Sequence, residues 1–181
     1  MGFSAGNKNV NGFKNVFIGY KAGEANVGGI AEEGSFNVMI GNFCGYKNTS
    51  GGSNTFLGYE AGRENLSGYH NTYIGRWAGM NMTTGHHNVF IGTEAGRYEA
   101  PGANYRLHIN AYSSESPVTS LIYGEFDNKI VQINGTLNIN DVLKLIPRTS
   151  PPPSPTKGTI YYDNATNKVK VWTGSAWENL N

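Results

Sequence analysis

The chain has 181 residues, among them 25 glycines and 11 tyrosines, and it balances 14 basic side chains against 13 acidic ones. Near-neutral charge without a basic run argues against nucleic acid, which needs a clustered positive surface. Only 15% of residues are charged and 38% are hydrophobic, so a single round core would be thin, and an elongated β-fold rich in corners suits the composition better.

Residues 1–11 (MGFSAGNKNVN) are polar and poor in pattern. They read as an N-terminal cap or attachment segment, or as half of a repeat. Met1 to Gly6 lack the basic start and apolar stretch of a secretory leader. No apolar run approaches the ~20 residues of a membrane helix, so membrane insertion is not expected.

From residue 12 to residue 110 one phrase recurs. Its clearest copies are Gly51–Gly62, Gly68–Gly79 and Gly85–Gly96, with the pattern G-x-x-N-[VT]-aromatic-[IL]-G-x-x-A-G and a step of 17 residues. Earlier copies start at Gly12 and Gly34, a step of 22, so one corner there carries five extra residues. A worn copy follows at Gly102, with Asn104 and Arg106 to Ile109. A fixed short period means stacked copies of one supersecondary unit. The expected fold is all-β: a parallel β-roll or β-solenoid of about six coils, each with two strands of about five residues. Gly19, Gly41, Gly58, Gly75 and Gly92 are expected at corners with φ > 0. Asn15, Asn37, Asn54, Asn71 and Asn88 are expected to form a side-chain ladder from coil to coil.

Strand alternation puts Val16/Ile18, Val38/Ile40, Thr55/Leu57, Thr72/Ile74 and Val89/Ile91 on one face. Phe17, Met39, Phe56, Tyr73 and Phe90 occupy the other. Both faces are apolar, yet a coil has one inside, so the second face needs a partner. The ring face, Phe17 to Phe90, is assigned to the interface of a parallel homotrimer.

The phrase N-V-F-I-G-x-x-A-G resembles the head repeat of trimeric autotransporter adhesins, in which S-V-A-I-G marks one strand per coil of a left-handed parallel β-roll. The 17-residue copies are also similar to repeats in tail-fibre-like proteins of bacteria and their phages. The resemblance covers residues 12–110 and implies a trimeric fibre. The adhesin repeat has a small Ala where this chain has Phe, Met or Tyr.

Beyond Ile109 the period stops. Residues 111–146 read as a β-rich neck: a Ser-rich corner up to Ser120, then strands over 121–126, 129–134 and 136–140, with 141–146 reading as a strand in preference to one helical turn. Residues 147–155 hold five prolines and read as a stiff extended linker. Residues 156–181 read as a small β-meander, Gly158–Asp163, Lys168–Trp172 and Trp177–Leu180, similar to terminal modules of tail-fibre-like proteins. In so short a unit, Tyr161, Tyr162, Trp172 and Trp177 serve either as core or as a sugar-stacking platform. With Asp163, Asn164 and Asn167 as hydrogen-bonding neighbours, they form the candidate receptor-binding site.

No catalytic constellation stands out. Glu32/Glu33, Glu115, Glu125 and Asp127 are carboxylates that no spacing pairs across a cleft. Dinucleotide and phosphate-loop signatures are missing, and one cysteine with four histidines shows no zinc spacing. No enzyme, cofactor or metal is therefore expected. Cys44, in a slot that other copies fill with Ala, reads as a small buried residue. His86-His87 reads as a hydrated corner, with a metal site on a three-fold axis as the less favoured reading. Arg63, Arg76 and Arg97 read as solvated.

These features together point to a structural and adhesive fibre of a phage tail or contractile injection particle. Its expected partners are two further copies of the chain, a cell-surface receptor of glycan class, and baseplate or other fibre proteins. The expected location is extracellular, as part of a virion, injection particle or surface fibre. A bacterial surface adhesin stalk and a glycan-processing tailspike are the alternatives.

Overall fold

Each repeat carries one three-residue strand. The strands are β1 (Val16–Ile18), β2 (Val38–Ile40), β3 (Thr55–Leu57), β4 (Thr72–Ile74) and β5 (Val89–Ile91), followed by β6 (Arg106–Ile109). The second strand expected in each coil is replaced by consecutive turns. The reason is a recurring left-handed residue: Lys21, Phe43, Glu60, Trp77 and Glu94 all have φ between 55° and 61°, and each is followed two residues later by a glycine with φ between 55° and 65°. Two such points within one turn of chain break any extended run.

The computed structural model describes residues 2–29, 31–111 and 120–180. The Ser-rich corner within 112–119, with Glu115, lies outside the described residues. The chain is all-β. Strands β1 to β6 pair in parallel and in register, Val16 beside Val38, then Thr55, Thr72, Val89 and Leu107. About four turns of this β-solenoid keep close to the 17-residue period, and the turn between β1 and β2 is the longer one. Strand β6 then pairs antiparallel with β7 (Ile122–Glu125), and β7 with β8 (Ile130–Ile133), closing an eight-stranded sheet.

The ring face lies inside the coil, which corrects the assignment of Phe17, Met39, Phe56, Tyr73 and Phe90 to a trimer interface. Met39, Phe56, Tyr73 and Phe90 are fully buried within the single chain, and Phe17 packs partly buried against them. The physical reason is volume. Across the coil stand Ala22, Cys44, Ala61, Ala78 and Ala95, all fully buried, and these small residues leave room for a large one. The rings stack at the strand spacing, Phe56 on Tyr73 at 4.8 Å and Tyr73 on Phe90 at 4.9 Å. Cys44 takes the alanine slot, its thiol directed to the Phe56 carbonyl oxygen at 3.2 Å and pushed up in pKa by burial.

Two asparagine ladders line the rest of the interior. In the first, the Asn54 amide nitrogen Nδ2 donates to the Gly68 carbonyl, while its Oδ1 accepts from the Asn71 backbone N–H at 3.0 Å. The same pair of bonds recurs from Asn15 through Asn88. A second ladder joins side chains directly: Asn26 Nδ2 to Asn9, Asn48 to Asn26 and Asn65 to Asn48, at 2.6–2.7 Å. Met82 occupies the next rung, and Asn65 Oδ1 is left without a partner.

Residues 2–11 belong to this architecture. Gly6, Lys8 and Val10 donate backbone bonds to Ala22, Glu24 and Val27, so the segment is a half coil resting on the first full turn, with Asn9 as a rung. At the other end, His108 caps the ring stack, edge-on to Phe90 at 4.9 Å and to Tyr123 at 5.2 Å.

The chain divides into two compact units, Met1–Thr136 and Leu137–Asn181. The expected strand over 136–140 does not form, nor does a strand or helical turn over 141–146; β8 has all four residues exposed and gains no further neighbour among the described residues. In the second unit, β9 (Ile160–Asp163), β10 (Lys168–Trp172) and β11 (Trp177–Asn179) form an antiparallel sheet in the order β11-β10-β9. Arg148 bridges to Asp163 on its free edge, so the start of the proline-rich stretch belongs with this sheet.

Two substitutions test the interior. Gly75 has φ 131°, and a Cβ there would lie 2.4 Å from the Gly92 carbonyl oxygen, so Gly75→Val should lower the melting temperature sharply. Asn54→Ala strands the Asn71 N–H and leaves the Gly68 carbonyl with the Asn65 amide as its side-chain donor, at a cost of about 1–3 kcal/mol, measurable by denaturant unfolding.

Candidate functional site

The candidate receptor face was placed on the meander of the second unit, and its register decides what each residue does there. Lys170 lies between Tyr161 and Asn179, and Trp172 faces Trp177. Alternation puts Tyr161, Asp163, Lys170, Trp172 and Trp177 on one face and Ile160, Tyr162, Val169 and Val171 on the other. Tyr161 is buried and meets Trp177 edge-on at 4.7 Å, and Trp172 tilts against Trp177 at 5.4 Å. These three rings are the module's own small core. Trp172 and Trp177 stay half-buried, so a flat aromatic edge remains open to solvent.

The polar candidates mainly hold the β9–β10 turn. Asp163 accepts from the Ala165 N–H at 3.0 Å, the Thr166 hydroxyl at 2.8 Å and the Lys170 ammonium at 2.8 Å. The Lys170 hydrogen bond leads in depressing the Asp163 carboxyl to about 2, and the same bond raises Lys170. Asn167 sits at φ 53° and accepts from the Tyr162 hydroxyl at 3.3 Å. The Asn164 backbone N–H donates to Arg148, and its side chain is exposed. Lys170 is the residue the sequence reading missed. Its place opposite Tyr161 follows only once the hairpin register is known.

On the solenoid, the histidine corner is packed, which differs from the hydrated corner expected. Tyr69 stacks on His86 at 4.8 Å and His87 on Tyr105 at 5.1 Å, while His86 Nδ1 and His87 Nδ1 stand 3.0 Å apart. Desolvation, then the neighbouring His70 and His86, lowers the His87 pKa. Among the described residues, no group of three or more His, Cys, Asp or Glu is arranged to hold a metal ion. The arginines are also engaged. Arg63 lies near Glu60 and Glu64, and Arg76 and Arg97 flank the Trp77 ring at 3.8 and 4.7 Å while reaching Glu94.

One buried relay was not foreseen. His108 Nδ1 contacts Ser120 Oγ at 2.7 Å and Nε2 contacts Glu99 Oε2 at 2.9 Å. Burial raises the Glu99 pKa, but the His108 hydrogen bond and its neighbours outweigh it and the net shift is downward. The connectivity is that of a serine–histidine–carboxylate relay. With His108 fully buried and Ser120 4% exposed, its work here is to cap the ring stack.

Apolar side chains are also exposed in each of the two units. Val16, Ile18, Leu57 and Ile91 of the outward strand face are exposed, as are Ile130, Val131 and Ile133 of β8 and Leu137, Ile139, Val142, Leu143 and Ile146 beyond it. Comparison with protein-family models, with curated proteins and with solved structures finds no match.

The Asp163 linkage sets a pH dependence for the second unit. Because folding depresses this carboxyl, its stabilisation is complete above about pH 4 and is lost as pH falls through about 2. Thermal melts between pH 5 and pH 2 should show the loss, and Asp163→Asn should flatten it.

Proposed function

We propose that the chain is a structural and adhesive fibre protein, assembled as a parallel homotrimer in a phage tail or contractile injection particle, that binds a cell-surface glycan. The observation that supports this is the apolar surface one chain leaves uncovered. In-register pairing aligns the outward Val, Ile and Leu side chains of β1 to β5 into a stripe that follows the stack of strands. A stripe parallel to a stack of coils is closed most simply by copies arranged around an axis along that stack. β8 adds an apolar edge strand of the kind that proteins normally cover. The interface in this reading is the aliphatic face, with the rings kept for the interior.

About six coils, counting the worn copy, then form the shaft. The open edge of Trp172 and Trp177 serves as a receptor contact, by aromatic stacking against sugar faces. Baseplate or other fibre proteins hold the assembly.

Light scattering on the purified chain should return three times the 19.6 kDa protomer mass. A protomer mass that persists at high concentration would overturn the reading. Ile74→Lys places a charge on the outward stripe, and should reduce the mass to one protomer while circular dichroism stays β-rich. The purified trimer should also compete with intact particles for host cells.

A further inference from the structure

The residue just before each strand-start asparagine, or before Arg106 in the worn copy, is Lys14, Phe36, Ser53, His70, His87 or Tyr105. All six hold φ between 55° and 60°, so their side chains leave the solenoid in one direction and form a column. Neighbouring members touch: Lys14 lies over the Phe36 ring at 4.9 Å, His70 meets His87 at 4.9 Å, and His87 stacks on Tyr105. The column breaks at Ser53, where the adjoining residue is Gly52. Phe36 and His70 are two strand spacings apart, ~9.6 Å, which is room for one ring.

That room is open. A cavity of about 330 Å³ opens at Ser53 and His70, lined also by Glu32, Glu33, Ser67 and Tyr69 together with Ser50 and Gly52. Its volume is within the range of small-ligand sites. The two glutamates come from the longer turn between β1 and β2, the place where the repeat gains five residues. That turn is fastened to the floor of the gap by the Gly34 N–H on the Ser50 carbonyl at 2.8 Å and the Ser53 N–H on the Ser35 carbonyl at 2.9 Å.

Charge separates this place from the rest of the repeat region. Its other carboxylates each lie near a basic side chain: Glu24 near Lys21, Glu60 near Arg63, Glu64 near Lys47, Glu94 near Arg97 and Glu99 near His108. Among the described residues, Glu32 and Glu33 have no such partner. The two uncompensated carboxylates of the solenoid therefore stand together, beside a ring-sized gap with an aromatic wall.

We propose that this gap is a binding subsite for an amino sugar, a saccharide ring carrying a free ammonium group. The ammonium lies by Glu32 and Glu33, where charge-assisted hydrogen bonds hold it. The ring lies against Tyr69, whose face favours a nearby cation, and the serine hydroxyls meet the sugar hydroxyls. The serines and the ring-sized gap favour a sugar over a lysine side chain of a protein partner. The proposal rests on the glycan-binding reading above, names the sugar chemistry, and puts a contact on the solenoid.

The test is calorimetric titration of the full-length protein with a glucosamine trisaccharide, its fully N-acetylated counterpart and a lysine tetrapeptide. The free-amine trisaccharide should bind at least about tenfold more tightly than the other two, a difference of about 1.4 kcal/mol. The double variant Glu32→Gln/Glu33→Gln should lose that preference. Ser53→Phe restores to the column the ring that Phe36 supplies at the same φ, so it should keep the melting temperature and the assembly mass while abolishing binding. The proposal is overturned if wild type does not bind the trisaccharide, if Ser53→Phe binds like wild type, or if the lysine peptide is preferred. Failure on these titrations with trimer mass and cell competition intact removes the subsite alone. Sugar binding by a chain that stays a single protomer removes the fibre reading and leaves the subsite.

Discussion

Successive turns of this solenoid must stay one strand spacing apart, and buried asparagine amides enforce that spacing. An amide inside an apolar interior is costly unless both its donor and its acceptor are engaged. Asn37, Asn54 and Asn71 meet the condition only when the next turn sits one spacing away, because Oδ1 is used by that turn's backbone N–H. The ring stack then follows passively. Rings held at that separation by the backbone fall into contact, and the alanines opposite give them space. Fixing the interior this way also turns the aliphatic side chains outward, so the apolar stripe and the ladders have a common cause.

Much of the solenoid was legible from the repeated phrase. Its period gave the stacking, and the extra residues after Gly12 gave the position of the longer turn. The direction of the strand faces was not legible, because both are apolar and alternation alone is symmetric between them. The deciding quantity was the volume across the coil, supplied by Ala61 and its equivalents seven residues from the strand-start asparagine. The second ladder lay outside the phrase, although Asn9, Asn26, Asn48 and Asn65 recur in step with it. Left-handed backbone at Glu60 and Trp77 carries no residue-type signal, so the turns that replaced the second strand could not be read.

The terminal module shows a different limit. Asp, Asn and Thr suit ligand contacts and tight turns equally well, and here the turn claims Asp163 and Asn167. The aromatic residues were likewise open to two uses, and in a sheet of three short strands Tyr161 is drawn into the interior. Alternation over residues 136–146 looked like strand because side-chain pattern was the only cue. Strand formation also needs a neighbour for the ladder, which none of the described residues supplies there.

The longer turn between β1 and β2 leaves the pairing of Val16 with Val38 and of Ile18 with Ile40 undisturbed. Corner length and strand alignment are therefore mechanically decoupled in this architecture. A loop can be lengthened at one level without shifting any level above or below it. The solenoid thus behaves as a graduated rail, on which each corner has a fixed height and an independent length. Variation in what such a chain touches can then accumulate corner by corner, while the interior that sets the rail's spacing is left alone.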